Sequence, residues 1–278
     1  MKLYVNCWQC AFDDDPDMTR YPVQVNDSGI MEFACNRNHR AIVQLYDDLY
    51  ELLFDSGASA LYDGYPREAV TSFATAVERF YEYVTKLVLI ANGIEKSLLE
   101  EVWKDISRRS ECQLGAFRFT YLLNFKVAPP EMPPHCIRLR NDVTHKGKFP
   151  SQEEAMGYGQ SCLDHIETIF KLLRDSKHSN AMQDMTAVLA KVRRSEVPAG
   201  HEPLRMIRRG IIYYVLNPEP EKLTLAAWVE QQQRDQNAHE RWSMWQMVKD
   251  NAMGGYLVIE SPSLALKREN PPRSSFVP

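Results

Sequence analysis

The amino-acid sequence predicts a mainly α-helical protein, with a small β-hairpin module at the N-terminus and an α(+β) accessory region at the C-terminus. Between residues 41 and 177, apolar residues recur at three- and four-residue spacings, which is the period of amphipathic helices. Residues 1–40 show instead two short apolar segments separated by turn residues, as in a β-hairpin. Beyond residue 178, weaker helical patterns alternate with two short segments of strand-like composition.

Composition limits the class of protein. The chain has 278 residues, of which 44% are hydrophobic and 25% are charged, so it can bury a sizeable core. Its formal net charge of -4 gives no overall basic surface of the kind that binds nucleic acid through charge alone. The N-terminus lacks the apolar core of a signal peptide, and no apolar run is long enough to cross a bilayer. We therefore expect a cytoplasmic protein without membrane contact, whose cysteines are thiols or metal ligands rather than disulfides.

The N-terminal module is expected to need a metal ion. Strands are predicted at residues 21–25 and 30–34, on either side of the turn residues 26–29. A module of about forty residues buries too little surface to fold alone, and a metal would supply the missing stability.

Four side chains flank this predicted hairpin at the spacing of a zinc site: Cys7, Cys10, Cys35 and His39. Three thiolates and one imidazole complete a tetrahedral Zn2+ site with no open position, which is typical of a structural metal. Two alternatives stay open, because Cys7 and Cys10 could form a redox pair and the four residues could also be incidental. The zinc interpretation predicts a zinc-ribbon-like module over residues 1–40.

The remaining cysteines, Cys112, Cys136 and Cys162, lie in predicted helical segments. We expect them to be small buried hydrophobic residues. His135, beside Cys136, gives a weaker indication of a second metal site.

Residues 41–178 are predicted to form a helical bundle. A first amphipathic stripe begins at about residue 41, and a long helix is predicted over residues 67–91. The other predicted helices cover residues 95–109, residues 113–126, a segment that holds residues 140–145, and residues 151–175. Ser151 and Glu154 have the spacing of a capping box, which predicts that the last helix begins at this point.

Residues 179–260 are predicted to form the accessory region, and residues 261–278 a mobile tail. Within the accessory region, helices are expected at residues 181–194 and 222–250, and strands at residues 210–216 and 256–260.

The segment from Arg140 to His145 carries the residue types needed to cut a phosphodiester without a metal. Arginine neutralises phosphate oxygens, and histidine moves a proton near neutral pH. Asn141 and His145 are four residues apart and share a helix face. Arg140 is five residues from His145, so the two side chains leave an ideal helix on different sides. Two copies related by a two-fold axis could bring both groups to one phosphate. In the alternative interpretation, Arg140 and Asp142 are surface charges and His145 caps a helix end.

With this motif, the segment from about residue 41 to 177 resembles the HEPN superfamily of small helical bundles. The motif consists of Arg140, Asn141 and His145, and a loop and a long final helix follow it. In the resemblance, the long helix before the motif carries an acidic or polar residue that projects from an apolar face. In this chain Glu78 matches that residue best. The resemblance implies a homodimeric bundle with both motifs at the interface.

The resemblance also implies a function. Many HEPN proteins are metal-independent endoribonucleases of toxin–antitoxin or antiviral defence systems, so RNA and a partner protein such as an antitoxin are expected partners. Arg140, Asn141, His145 and Glu78 are the implied catalytic residues. His145 would act on the ribose 2′-OH or the leaving oxygen, Arg140 would stabilise the pentavalent phosphate, and Asn141 would orient His145 or hold a phosphate oxygen. No cofactor is expected for catalysis.

Other HEPN proteins lack activity, so catalysis does not follow from the fold. The alternative function is a non-catalytic, zinc-containing adaptor that binds RNA or protein.

Overall fold

A computed structural model of the chain describes residues 2–17, 19–174, 178, 197, 204–208, 210–212, 223–237 and 256–259. Within these residues the protein is mainly helical, with small sheets, which confirms the predicted fold class at that level. The strands are β1 (Lys2–Asn6), β2 (Arg20–Gln24), β3 (Ile30–Ala34), β4 (Arg40–Leu45), β5 (Leu204–Arg208) and β6 (Tyr256–Ile259). The helices are α1 (Trp8–Ala11), α2 (Leu49–Tyr62), α3 (Pro66–Ala91), α4 (Lys96–Ile106), α5 (Ser110–Phe125), α6 (Pro134–Lys146), α7 (Gln152–Arg174) and α8 (Leu225–Asn237).

The strands predicted in the N-terminal module are present, but the predicted pairing is wrong. β2 pairs antiparallel with β1, and β3 pairs antiparallel with β4. The hairpin expected between residues 21–25 and 30–34 therefore does not form. Each of its two strands pairs instead with a different strand. For β3 that partner is β4, a segment predicted to begin the helical region. Ile42 and Val43 are buried in β4, and a short apolar run of this kind fits a buried strand as well as a helix.

Strands β1 and β2 form a two-stranded sheet, whereas β3 and β4 share a four-stranded sheet with the accessory region. Its strand order is β3-β4-β5-β6, and β5 runs parallel to both of its neighbours. The strand predicted at residues 256–260 is confirmed over Tyr256–Ile259. The strand predicted at residues 210–216 is wrong in its described part, because Ile211 and Ile212 are helical and fully buried, and residues 213–216 lie outside the described residues. A strand lies instead at Leu204–Arg208.

The helix predicted at residues 222–250 is confirmed over Leu225–Asn237. Residues 223–224, which the prediction included, are not helical. Residues 238–250, the helix predicted at residues 181–194 and the tail predicted at residues 261–278 lie outside the described residues.

Helix α3 is the centre of the bundle. It packs against α2, α5, α6 and α7, and Phe73, Phe80 and Leu87 along it have no exposed surface. Helix α7 begins where the sequence predicts, at a capping box. The Glu154 N–H donates to the Ser151 hydroxyl oxygen over 3.1 Å, and the Ser151 N–H donates to the Glu154 carboxylate over 2.8 Å.

None of the described helices combines the length and the apolarity that a crossing of a lipid bilayer requires.

Helix α8 docks on α7 at a glycine. A Cβ atom placed on Gly159 would lie 2.5 Å from the side chain of Leu225 and 2.6 Å from the ring of Phe73. The Leu225 N–H also donates to the Gln160 side-chain oxygen over 2.8 Å. The absence of a side chain at residue 159 therefore lets the two helices approach each other.

This close approach gives a prediction with a control in the same helix. Gly159→Ala should lower the free energy of unfolding by about 1–3 kcal/mol, because the methyl group overpacks the core. Gly157→Ala should raise it by up to about 1 kcal/mol, since a Cβ at this exposed position meets no described atom within 4 Å and alanine favours helix. Urea unfolding followed by circular dichroism measures both. Equal effects of the two substitutions would contradict the close packing.

A buried histidine in α7 makes stability depend on pH. The hydroxyl of Tyr81 lies 2.7 Å from Nε2 of His165, and burial lowers the pKa of His165 to about 4. The unfolded chain binds a proton at this residue near pH 6.5, so it binds more protons than the folded chain between about pH 4 and 6.5.

Stability should therefore fall as the pH is lowered through this window, with a contribution from His165 of at most about 3 kcal/mol. His165→Gln should remove the part of the pH dependence of the free energy of unfolding that comes from His165. The part that comes from carboxyl groups should remain. Urea unfolding at several pH values, in the native chain and in the variant, measures the difference. Identical slopes in the two proteins would show that His165 is not held neutral.

Candidate functional site

The predicted metal ligands meet in one compact group. Cys7 precedes α1, Cys10 lies within it, and Cys35 and His39 flank the turn between β3 and β4. Their ligand atoms all lie within 4.8 Å of one another. Sγ of Cys10 is 3.6 Å from Sγ of Cys35 and 3.2 Å from Nδ1 of His39, and Nδ1 of His39 is 3.6 Å from Sγ of Cys7.

These separations fit a tetrahedral ion. Zn–S bonds of about 2.3 Å and Zn–N bonds of about 2.0 Å place the ligand atoms of a tetrahedron roughly 3.5–3.8 Å apart. The three cysteines are at most 4% exposed, and burial raises the pKa of the Cys10 thiol to about 12. Buried thiolates need a nearby cation to stay deprotonated. The donor set is therefore that of a closed metal site, with no position left for a substrate or water.

The backbone of the β3–β4 turn positions two of the four ligands. The Cys35 N–H donates to the carbonyl of His39 over 3.0 Å, and the Asn38 N–H donates to the carbonyl of Cys35 over 2.9 Å. Asn38 adopts a left-handed conformation with φ of 63°, which asparagine tolerates better than most residues. The turn thus brings the two side chains to the same side.

The other cysteines follow the prediction in part. Cys136 and Cys162 are buried as expected, but Cys112 is exposed and the prediction for it is wrong. Cys112 lies one position off the inward face of α5. His135 Nε2 lies 3.3 Å from the Cys136 sulfur, yet the N-terminal group is the only set of three or more metal-ligating side chains among the described residues. The suggestion of a second metal site therefore finds no third ligand there.

Helix α6 carries the Arg-to-His motif, and an ion pair joins it to α3. Nη2 of Arg140 donates to Oε1 of Glu78 over 2.7 Å, and Nη1 donates to Oδ1 of Asn141 over 3.1 Å. The side chains of Arg140 and Glu78 are each about one-third exposed. Three of the four sequence-predicted catalytic residues thus form one hydrogen-bonded group at the edge of the core.

His145 takes no part in the hydrogen bonds of this group. It occupies the last turn of α6, where it is exposed, and Gly147 ends the helix in a left-handed conformation with φ of 70°. Arg140 and Asn141 line a cavity that His145 does not reach. Arg140 and His145 are five residues apart on α6, so the expectation that their side chains diverge on one helix stays a prediction.

The cavity beside Arg140 was not foreseen from the sequence. It has a volume of about 270 Å3 and lies among α3, α5, α6 and the connector before α6. Aromatic side chains line it, including Tyr81, Phe117 and Tyr158. The only sequence signal for it is that Tyr81 lies one helical turn after Glu78, so both residues share one face of α3.

Comparison with known proteins finds no match to this chain. No protein-family model, no curated protein and no solved structure matches it. Its function is therefore inferred from the contacts, burial and charge of the residues described above.

Proposed function

We propose that this chain is a metal-independent endoribonuclease of the HEPN type, whose active site is completed by two copies of the chain in a homodimer. The observation that carries the proposal is the Glu78–Arg140 ion pair at the edge of a cavity, with an exposed His145 at the end of the same helix.

Arg140 would stabilise charge on the phosphate. A guanidinium group has five N–H donors, and among the described residues Glu78 and Asn141 accept one each. The remaining donors can bind phosphate oxygens in the forked geometry that arginine provides. The Glu78 carboxylate fixes the orientation of that fork before substrate arrives, and preorganised donors are the usual source of electrostatic catalysis.

His145 would move the proton. In one copy it would take a proton from the ribose 2′-OH, and the resulting oxygen would attack the phosphorus. The 2′-O–P bond forms, the P–O5′ bond breaks, and the departing 5′ oxygen takes a proton from water, while His145 returns its own proton to the solvent. The products are a 2′,3′-cyclic phosphate and a 5′-OH. The oxygen of the Asn141 amide accepts from Arg140, which leaves its NH2 group to donate to a phosphate oxygen.

We propose a homodimer because Arg140 and His145 are five residues apart on one helix, where ideal geometry turns their side chains to different sides. Arg140 lines the cavity, and His145 is exposed in the last turn of the same helix. A two-fold axis beside α6 would place Arg140 of one copy opposite His145 of the other.

The zinc centre would be structural. We propose that Zn2+ is bound by Cys7, Cys10, Cys35 and His39, and that residues 1–40 form a zinc-ribbon-like module. The closed ligand set leaves no coordination position for water. Catalysis would thus run without metal, in a cytoplasmic toxin or antiviral defence effector that a partner protein such as an antitoxin restrains.

One observation favours a second function. The charge of Arg140 is already balanced by Glu78, so the pair also suits a purely structural contact between α3 and α6. In that case the chain would be a non-catalytic, zinc-containing adaptor for RNA or protein.

Substitution of the motif separates the two functions. His145→Ala and Arg140→Ala should each reduce RNA cleavage at least about a hundredfold, because a proton-transfer group or a phosphate-binding group is lost. His135→Ala is the matched control, since His135 is also exposed on α6 and should be dispensable. Cleavage of labelled RNA in EDTA measures the rates, and circular dichroism checks the fold. Full activity in His145→Ala, or no cleavage by the native chain, would leave the adaptor function.

A mixing experiment tests the composite site. Chains with His145→Ala and chains with Arg140→Ala should be inactive alone but should regain activity when they are unfolded together and refolded. A mixed dimer contains one site with both native groups, so its activity should approach half that of the native dimer. A mixture as inactive as its components would contradict the shared site.

Metal analysis tests the zinc centre. Native mass spectrometry should find one zinc ion per chain, and Cys10→Ser should lose the ion and lower the melting temperature. Cys112→Ser should change neither quantity, because Cys112 is exposed and distant in sequence from the ligands. A metal-free native protein with a disulfide between Cys7 and Cys10 would refute the assignment.

A further inference from the structure

The cavity beside Arg140 has the size of a site for one heterocyclic ring system. Its volume of about 270 Å3 lies just below the range of about 300–1,000 Å3 that is usual for drug-sized ligands. The interior is lined mainly by apolar and aromatic side chains, including Leu114, Met132 and Phe117. The flat ring of a nucleobase fits within such a volume.

The aromatic wall is fixed before any ligand binds. Tyr81 stacks on Phe117 with ring centroids 4.3 Å apart and planes 20° from parallel. The Tyr81 hydroxyl is held by His165, and Phe117 is only 2% exposed. A wall that is already ordered loses little conformational entropy when a ring packs against it.

The polar part of the lining favours a neutral ligand with donors and acceptors over a small anion. It contains two ion pairs, Glu78–Arg140 at 2.7 Å and Arg118–Glu131 at 2.9 Å, in which the charges cancel. Glu111 adds one further carboxylate and so repels a phosphate from the interior. Carboxylate oxygens and guanidinium N–H groups together match the mixed hydrogen-bonding edge of a nucleobase.

We propose that this cavity is a base pocket, which takes one unstacked nucleobase of a single-stranded RNA. The inference rests on the proposed function, since Arg140 belongs both to the cavity lining and to the proposed phosphate site. A base in the cavity would bring its own phosphate to Arg140. The substrate class is then single-stranded RNA, because a base inside a duplex cannot leave the stack without loss of its pairing. Cleavage should also show a sequence preference at the position that occupies the pocket.

Binding measured without cleavage tests the pocket. In the His145→Ala protein, calorimetry should detect at least one of the four nucleoside monophosphates. Its affinity should exceed that of ribose 5-phosphate, which has the phosphate but no base. Leu114→Trp, added to His145→Ala, should fill the cavity and reduce nucleotide affinity about tenfold or more, as expected for loss of base stacking.

The matched control is Leu123→Trp, which adds the same side chain to the same helix at a position that is 70% exposed. It should leave nucleotide affinity unchanged. Contacts detected by nuclear Overhauser effects, between base protons and the rings of Tyr81 and Phe117, test the pocket without any substitution in it. Nucleotide affinity no greater than that of ribose 5-phosphate would overturn the proposal, and so would the absence of those contacts.

Different results would reject the base pocket and the proposed nuclease activity. RNA cleavage that depends on His145 but is unchanged by Leu114→Trp would reject the base pocket and leave the nuclease in place. Nucleotide binding that Leu114→Trp abolishes, in a native chain that cleaves no RNA, would support the pocket and reject the nuclease.

Discussion

The ion pair between Glu78 and Arg140 connects the core of the bundle to the candidate active site. Helix α3, which carries Glu78, packs against α2, α5, α6 and α7. At about one-third exposure, such a pair contributes roughly 0–1 kcal/mol to stability. The main effect of the ion pair is therefore to orient the guanidinium group of Arg140 at the edge of the cavity. The proposed phosphate site and the proposed base pocket both depend on this placement.

The compact group of Cys7, Cys10, Cys35 and His39 connects the N-terminal elements to the sheet. The four metal ligands hold α1 against the β3–β4 turn, and β4 passes directly from that turn toward α2. The sheet then continues from β4 to β5 and β6, so backbone hydrogen bonds join the first forty-five residues to the accessory region. Removal of a metal bound by this group should consequently disturb β3, at the edge of the sheet, as well as the local turn, whereas Arg140 lies in α6 of the bundle.

Long periodic segments and local motifs were predictable from the sequence. The helix at Pro66–Ala91, the capping box at Ser151 and the four-residue metal group all follow from patterns within short stretches of chain. Strand pairing was not predictable, because β3 could pair with either neighbour and the apolar run in β4 fits two structures. The exposure of Cys112 depends on which face of α5 turns inward. Gln113, Phe117 and Tyr121 occupy that face at four-residue intervals.

The cavity was not predictable for a related reason. Its aromatic wall combines Tyr81 of α3 with Phe117 of α5, and only the packing of the two helices brings them together. The motif in α6 identified Arg140, and the HEPN resemblance indicated Glu78 on the preceding helix, but neither predicted that the two form an ion pair. No pattern in the sequence indicates that their ion pair borders a cavity with an aromatic wall, since that depends on tertiary contacts.

The chemical ends of the cleavage products test the central claim most directly. Single-stranded RNA is incubated with the native chain in EDTA, and the fragments are analysed by mass spectrometry. Attack by the 2′-OH predicts a 2′,3′-cyclic phosphate on one fragment and a 5′-OH on the other. It also predicts that a single 2′-deoxy substitution at the scissile nucleotide blocks cleavage. Fragments with a 5′-phosphate and a 3′-OH, or cleavage of the 2′-deoxy substrate, would contradict a mechanism in which His145 activates the ribose hydroxyl.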